Sequence, residues 1–161
     1  MLDIKITNAK TRKTGKELVE IGIENGKITA IAPSVEGEAK QVIDAKGKLV
    51  TESFVNGHLH LCKVYTLEMA GQDALKEYND NNMGGAMASV VRAADFKACY
   101  DEKWIIENVR KACDLAVKYG NTHIRAFADV DSKARLEGVK AVIRGREEYK
   151  DRLDIQVVAF P

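Results

Sequence analysis

Apolar and polar side chains alternate through the first fifty residues, in the runs Leu2 to Ile6, Leu18-Val19-Glu20-Ile21-Gly22-Ile23 and Lys27-Ile28-Thr29-Ala30-Ile31. A period of two turns one face of each run toward a core, which predicts short β-strands. Glu24-Asn25-Gly26-Lys27 separates the second run from the third. Asn and Gly tolerate the positive φ of a type I′ turn, so these two runs are expected to form a hairpin. Gln41-Val42-Ile43-Asp44 and Leu49-Val50-Thr51 continue the pattern after a loop carrying Pro33, Ser34 and Gly37. The expectation for residues 1–52 is a small antiparallel β unit.

From Ser53 the pattern changes. Phe54-Val55-Asn56-Gly57-His58-Leu59-His60-Leu61 reads as a strand, and helical periodicity follows over 67–78, 86–98 and 101–119. In the last of these Asp101 is placed to cap the N-terminus, while Trp104, Ile105, Asn108, Val109, Ala112 and Leu115 build one face and Gly120 stops the helix. Residues 122–128 then read as a strand, 132–150 as a helix and 154–160 as a strand. Strands alternating with helices predict a parallel α/β sheet over 53–161. The last strand reaches Pro161 with no polar tail, so a core strand in the N-terminal piece of a longer protein is expected there, with a native C-terminal strand as the alternative.

Composition narrows the picture further. The chain has 161 residues, 45% hydrophobic and 30% charged, and 25 basic against 24 acidic side chains give a formal net charge of +1. That suffices for a real core, but a complete (β/α)8 barrel needs at least roughly 200 residues. A near-neutral balance with interspersed signs carries no electrostatic footprint for nucleic acid or an anionic membrane. No charged n-region with an apolar run opens the chain, and no stretch of about 18 apolar residues occurs, so neither a secretion signal nor a membrane span is expected. Cys62, Cys99 and Cys113 are odd in number and irregularly spaced, which fits no disulfide framework and points to a reducing cytoplasm.

The sharpest chemical signal is His58-Leu59-His60, which holds two of the chain's three histidines. Residues i and i+2 of a strand face the same side, so this spacing can bring two imidazoles to one metal ion. The pair ends a strand and precedes a loop into helices, where the sites of parallel α/β proteins gather. His123 opens a strand with no second ligand-type side chain beside it, which favours a structural role. Asp129 and Asp131 follow a strand, from where an acid orients metal ligands or caps the next helix; capping is favoured for Asp131. Met83-Gly84-Gly85-Ala86 is a flexible segment before a helix, and its Gly-Gly is not a phosphate loop.

The stretch from Val50 to Lys63, with His58-Leu59-His60-Leu61-Cys62-Lys63 at its end, resembles the end of barrel strand one in the amidohydrolase superfamily, in its cytosine deaminase-like branch. The run from Tyr119 to Asp131 is similar to that branch's second barrel strand, and the run from Arg152 to Pro161 to its third. The resemblance implies a metal-dependent hydrolase built as a (β/α)8 TIM-type barrel with a small β-sandwich. Residues 1–52 would supply the N-terminal part of the sandwich, and 53–161 the first three βα units of an incomplete barrel. It also implies that His58 and His60 are ligands of one Zn2+ or Fe2+ ion, whose bound water attacks a C–N centre of a nitrogen heterocycle. The remaining ligands and the catalytic acid/base are expected beyond residue 161, so the isolated chain is expected to be inactive. Complete relatives are expected to be homo-oligomers.

Three positions bear on substrate. Cys62 stands where the branch has Asp; on a continued strand it would share a face with the two histidines, but a buried, inert thiol or an altered substrate contact is favoured over a thiolate at the metal. Lys63 is either a contact to a substrate carbonyl or a solvated loop cation. Phe127 stands where the compared deaminases carry His, which argues against cytosine itself, because a pocket reads a heterocycle through placed hydrogen-bonding groups. Two other readings stay open on sequence alone: a non-catalytic α/β module, and one half of a split enzyme completed by a partner chain. Three parallel strands alone leave an open edge and an uncovered apolar face, so the isolated piece is expected to self-associate.

Overall fold

The computed structural model describes residues 1–69, 84 and 96–161, and the chain divides into two compact units, Met1–Glu52 and Ser53–Pro161. The first unit contains β1 (Leu2–Ala9), β2 (Val19–Glu24), β3 (Lys27–Ala32) and β4 (Ala39–Asp44), in the order β3-β2-β1-β4. The hairpin forms as the sequence predicts, with Asn25 at φ 52° and Gly26 at φ 71°. Strands β2 and β3 pair antiparallel, with Ile21 opposite Ile31, and β1 pairs antiparallel with β2, with Ile4 opposite Ile23. Ala9, Val19 and Ile21 form the buried centre, with Ile6, Ile23, Ala45 and Val50 packed on it.

Two expectations for this unit are corrected. The sheet is mixed rather than antiparallel, because β4 lies on the far edge of β1 and runs parallel to it, with Ile6 opposite Ile43. Leu49-Val50-Thr51 is not a strand. Asp44 accepts the Lys46 N–H, and Lys46 and Gly47 take positive φ. The chain therefore turns back and keeps only a bridge between Lys10 and Leu49.

The second unit is a three-stranded parallel sheet, β5 (Phe54–Leu59), β6 (Asn121–Asp129) and β7 (Asp154–Phe160), in that order. Its helices are α1 (Thr66–Met69), α2 (Glu102–Lys118) and α3 (Glu137–Tyr149), with 3-10 turns at Leu61–Lys63 and Lys97–Cys99. The expected helices over 67–78 and 86–98, with the Met83-Gly84-Gly85-Ala86 segment, lie almost wholly outside the described residues.

Helix α2 has the predicted ends, but its buried face is Ile105, Ile106, Val109 and Cys113, and Leu115, expected on that face, is exposed. The Asp101 side chain accepts from the Lys103 N–H, and Gly120, at φ 80°, donates to the Val117 carbonyl to end it. Helix α3 starts five residues later than expected. Asp131 takes the N–H groups of Lys133 and Ala134, and Arg135 at φ 53° holds a turn before the helix begins. Asp131 thus caps that turn and not the helix itself.

Ile105, Ile106, Val109 and Cys113 of α2 and Ala141, Val142 and Tyr149 of α3 pack with Ile124, Ala126, Ala128 and Ile155 of the sheet. Burial pushes the Cys113 thiol up to about 12. The two helices meet closely at Gly145, where a Cβ would lie 2.5 Å from Val109 Cγ1. Gly145→Ala gains helix propensity of about 1 kcal/mol, but a stiff, fully buried valine blocks the added methyl, and such overpacking costs about 1–3 kcal/mol. A net loss of stability is expected, read as a lower urea midpoint with an unchanged slope.

Candidate functional site

Alternation along the parallel strands sorts the sheet into two sides. Ile124, Ala126 and Ile155 are buried among the helices, whereas His123, Arg125, Asp154 and Gln156 are exposed on the other side. A groove of about 620 Å³ lies there, lined by Val55, Gly57, Arg125 and Gln156 among others. The two strand-end histidines do not line it. His123 does line it, and its Nδ1 pairs with the Thr122 hydroxyl at 2.8 Å while its Nε2 lies 3.9 Å from Asp154.

The histidine pair sits where β5 runs out. The His58 and His60 ring centroids are 5.2 Å apart in an edge-to-face arrangement. Phe127, near the end of β6, lies tilted against His58 at 4.4 Å between centroids, and Phe160, ending β7, meets His60 edge-on at 5.0 Å. The two phenyl rings contact one another at 5.7 Å. The carboxyl ends of three consecutive parallel strands thus contribute two imidazoles and an apolar aromatic wall.

Behind His60 lies a buried polar cluster. Asp129, the last residue of β6, has 0% exposure, and its Oδ1 lies 3.2 Å from His60 Nδ1. Lys63 Nζ donates to both carboxylate oxygens, at 3.2 and 3.1 Å. Lys97 Nζ lies 3.4 Å from Asp129 Oδ2 and donates to Asp131 at 2.7 Å. The Lys97 hydrogen bond, aided by the backbone N–H of Ala134, holds the Asp131 carboxyl down at about 2. Burial and the Lys63 charge lower the His60 pKa, against the opposing pull of Asp129, so the ring favours its neutral, metal-competent form.

Two sequence expectations change here. Cys62 does not share a face with the histidines, because β5 ends at Leu59 and the chain enters the 3-10 turn Leu61–Lys63. That turn buries the thiol to 1% exposure, where it accepts the Asp129 N–H at 3.3 Å. Burial pushes its pKa up. Gly138 makes room for it, since a Cβ there would lie 2.9 Å from Cys62 Cβ. Lys63, expected as a substrate contact or a solvated cation, is instead the bidentate partner of Asp129. The sequence did offer a signal for this cluster: an unexplained lysine three residues after His60 and an acid closing the next strand.

The described residues hold no group of three or more His, Cys, Asp or Glu side chains arranged for a metal ion. Two imidazoles side by side are a fitting but partial donor set, since catalytic zinc sites hold three protein ligands.

Residues 41–161 match the model of the Amidohydrolase family. The chain belongs to the amidohydrolase family. Over 173 aligned residues this amidohydrolase is 33% identical to N-isopropylammelide isopropyl amidohydrolase of Pseudomonas sp. (strain ADP), covering 98% of this chain and 38% of the relative. The chain therefore spans well under half the length of that relative. The solved 5-methylcytosine deaminase of Klebsiella pneumoniae with phosphonocytosine matches 98% of this chain and 36% of its own, at 24% identity and a TM-score of 0.76. N-isopropylammelide isopropylaminohydrolase of Burkholderia multivorans ATCC 17616 matches 100% of this chain and 38% of its own, at 24% identity and a TM-score of 0.60. At that identity the two structures show a shared fold. No helix among the described residues is long and apolar enough to cross a membrane.

Proposed function

We propose that this chain is the N-terminal portion of a metal-dependent amidohydrolase that cleaves a C–N bond on a nitrogen heterocycle and releases ammonia or an amine. The observation that carries this reading is the His58 and His60 pair at the carboxyl end of β5, facing Phe127 and Phe160 from the next two strands. Residues 53–161 would be the first three βα units of a (β/α)8 barrel, and functional groups gather at that end of such strands. Residues 1–52 would be one part of a β-sandwich. The other ligands and the acid/base group would come from later strands, and the complete protein would be a cytoplasmic homo-oligomer.

In this reading His58 and His60 would hold Zn2+ or Fe2+. A divalent ion bound there lowers the pKa of a coordinated water so that hydroxide is available near neutral pH. The chain's own contribution is positional. Phe127 and Phe160 present flat apolar surface beside the imidazoles, which excludes water and accepts a planar ring or an alkyl substituent. Neither ring hydrogen-bonds to the ring nitrogens or exocyclic groups that a polar pyrimidine presents on that side. An N-alkylated heterocycle, of the kind named for the Pseudomonas relative, suits such a wall.

The test is release of ammonia or amine from a panel of aminopyrimidines and N-alkylamino-triazines by the protein expressed from its complete gene. Turnover of N-alkylated members above cytosine is expected. No C–N hydrolysis across the panel, in protein loaded with zinc or iron, would overturn the reading.

A further inference from the structure

Asp129 is fully buried and ends β6, yet the heterocycle chemistry above gives it no task. A carboxylate without solvent persists only where its oxygens are satisfied by positive or hydrogen-bonding groups. Here Lys63 reaches both oxygens, Lys97 approaches Oδ2, and the remaining approach, to Oδ1, is taken by His60 Nδ1 at 3.2 Å. The cluster is locked from the backbone side as well, because the Asp129 N–H donates to the buried Cys62 sulfur. His60 and Lys63 lie three residues apart across the single 3-10 turn, so one turn aims both at the same carboxylate.

A carboxylate only accepts, and the lysines only donate. The His60 Nδ1 contact to Asp129, at 3.2 Å, is therefore satisfied only when Nδ1 carries the proton. We propose that Asp129, held in place by Lys63 and Lys97, is a positioning residue that fixes His60 in its Nδ1–H tautomer and leaves the Nε2 lone pair free to ligate. Carboxylates that orient ligand histidines in this way set both ring angle and basicity. The inference rests on the reading of His60 as a metal ligand, and it assigns to Asp129 the preorganisation of that ligand before any metal arrives. Among the described residues no carboxylate reaches the His58 ring, which contacts the rings of His60 and Phe127. The two histidines therefore differ, because only the His60 ring is tied to a carboxylate.

The test begins with the unsubstituted protein from the complete gene, labelled with 15N-histidine and kept metal-free in chelator at pH 8, so that it does not depend on any variant folding. The His60 ring nitrogens are read in long-range proton–nitrogen spectra and assigned by their loss in His60→Ala. His60 is expected to be predominantly Nδ1–H, and in Asp129→Ala to return to the Nε2–H form that an unconstrained histidine side chain prefers. Zinc affinity of the protein from the complete gene, by chelator competition, is expected to fall about 10–100-fold in Asp129→Ala, with partial recovery in Asp129→Glu. A His60 that is Nε2–H in the unsubstituted chain overturns the role of Asp129 while leaving the metal reading untouched. So does zinc affinity that Asp129→Ala leaves unchanged and His60→Ala abolishes. Zinc affinity that survives His60→Ala overturns both.

Discussion

Lys63→Met is expected to destabilise the second unit by about 2–3 kcal/mol, at or below the ~3–5 kcal/mol for breaking a fully buried ion pair. The asymmetry of burial sets the size. Asp129 has no exposure, whereas the Lys63 side chain is 33% exposed, so removing the lysine strands a desolvated carboxylate that cannot reach water. Lys97 remains 3.4 Å away and limits the loss. Removing both charges, in Lys63→Met with Asp129→Asn, is expected to recover part of the stability, because the stranded charge goes with its partner. Urea unfolding of the two variants and the parent measures both effects. A double variant less stable than Lys63→Met would show that the pair is worth more than the desolvation it relieves.

The same cluster shows where sequence reading stops. Local chemistry was legible: Asp101 caps α2, Gly120 ends it, and Asn25-Gly26 turns the β2–β3 hairpin, because each depends on neighbours within a few residues. Period two also brought the two imidazoles of His58-Leu59-His60 side by side. Contacts between residues far apart in the chain were not legible. Asp129 meets Lys63 across 66 residues; the sequence marks the lysine and the strand-closing acid separately, but spacing does not pair them. The parallel placement of β4 against β1 failed for the same reason, since alternation fixes which residues face the core but not which edge a strand joins. Cys62 shares no face with the histidines because β5 ends at Leu59, and of the open alternatives the buried thiol is the one the structure bears out. A 3-10 turn at Leu61–Lys63 carries no strong sequence mark, and it moves the thiol from the histidine side into the core. At the start of α3 the Asp131 signal was read correctly as a cap, but the capped element is the short turn before the helix.

Phe127 illustrates a position whose type was informative before its setting was known. Its apolar ring, standing where the compared deaminases carry His, argued for an altered pocket. The structure places that ring against His58 and beside Phe160. The wall is thus continuous, and its effect on substrate choice belongs to the same test as the heterocycle panel.

The central claim is that His58 and His60 hold a divalent metal ion in the complete protein. Elemental mass spectrometry of protein from the complete gene, beside the His58→Ala/His60→Ala double variant, tests it most directly. The account predicts about one zinc or iron per chain in the parent, as for a mononuclear hydrolase site, and loss of that ion from the double variant with its circular dichroism unchanged. A folded double variant that keeps a full complement of metal, or a parent that takes up none when zinc or iron is supplied, would contradict it.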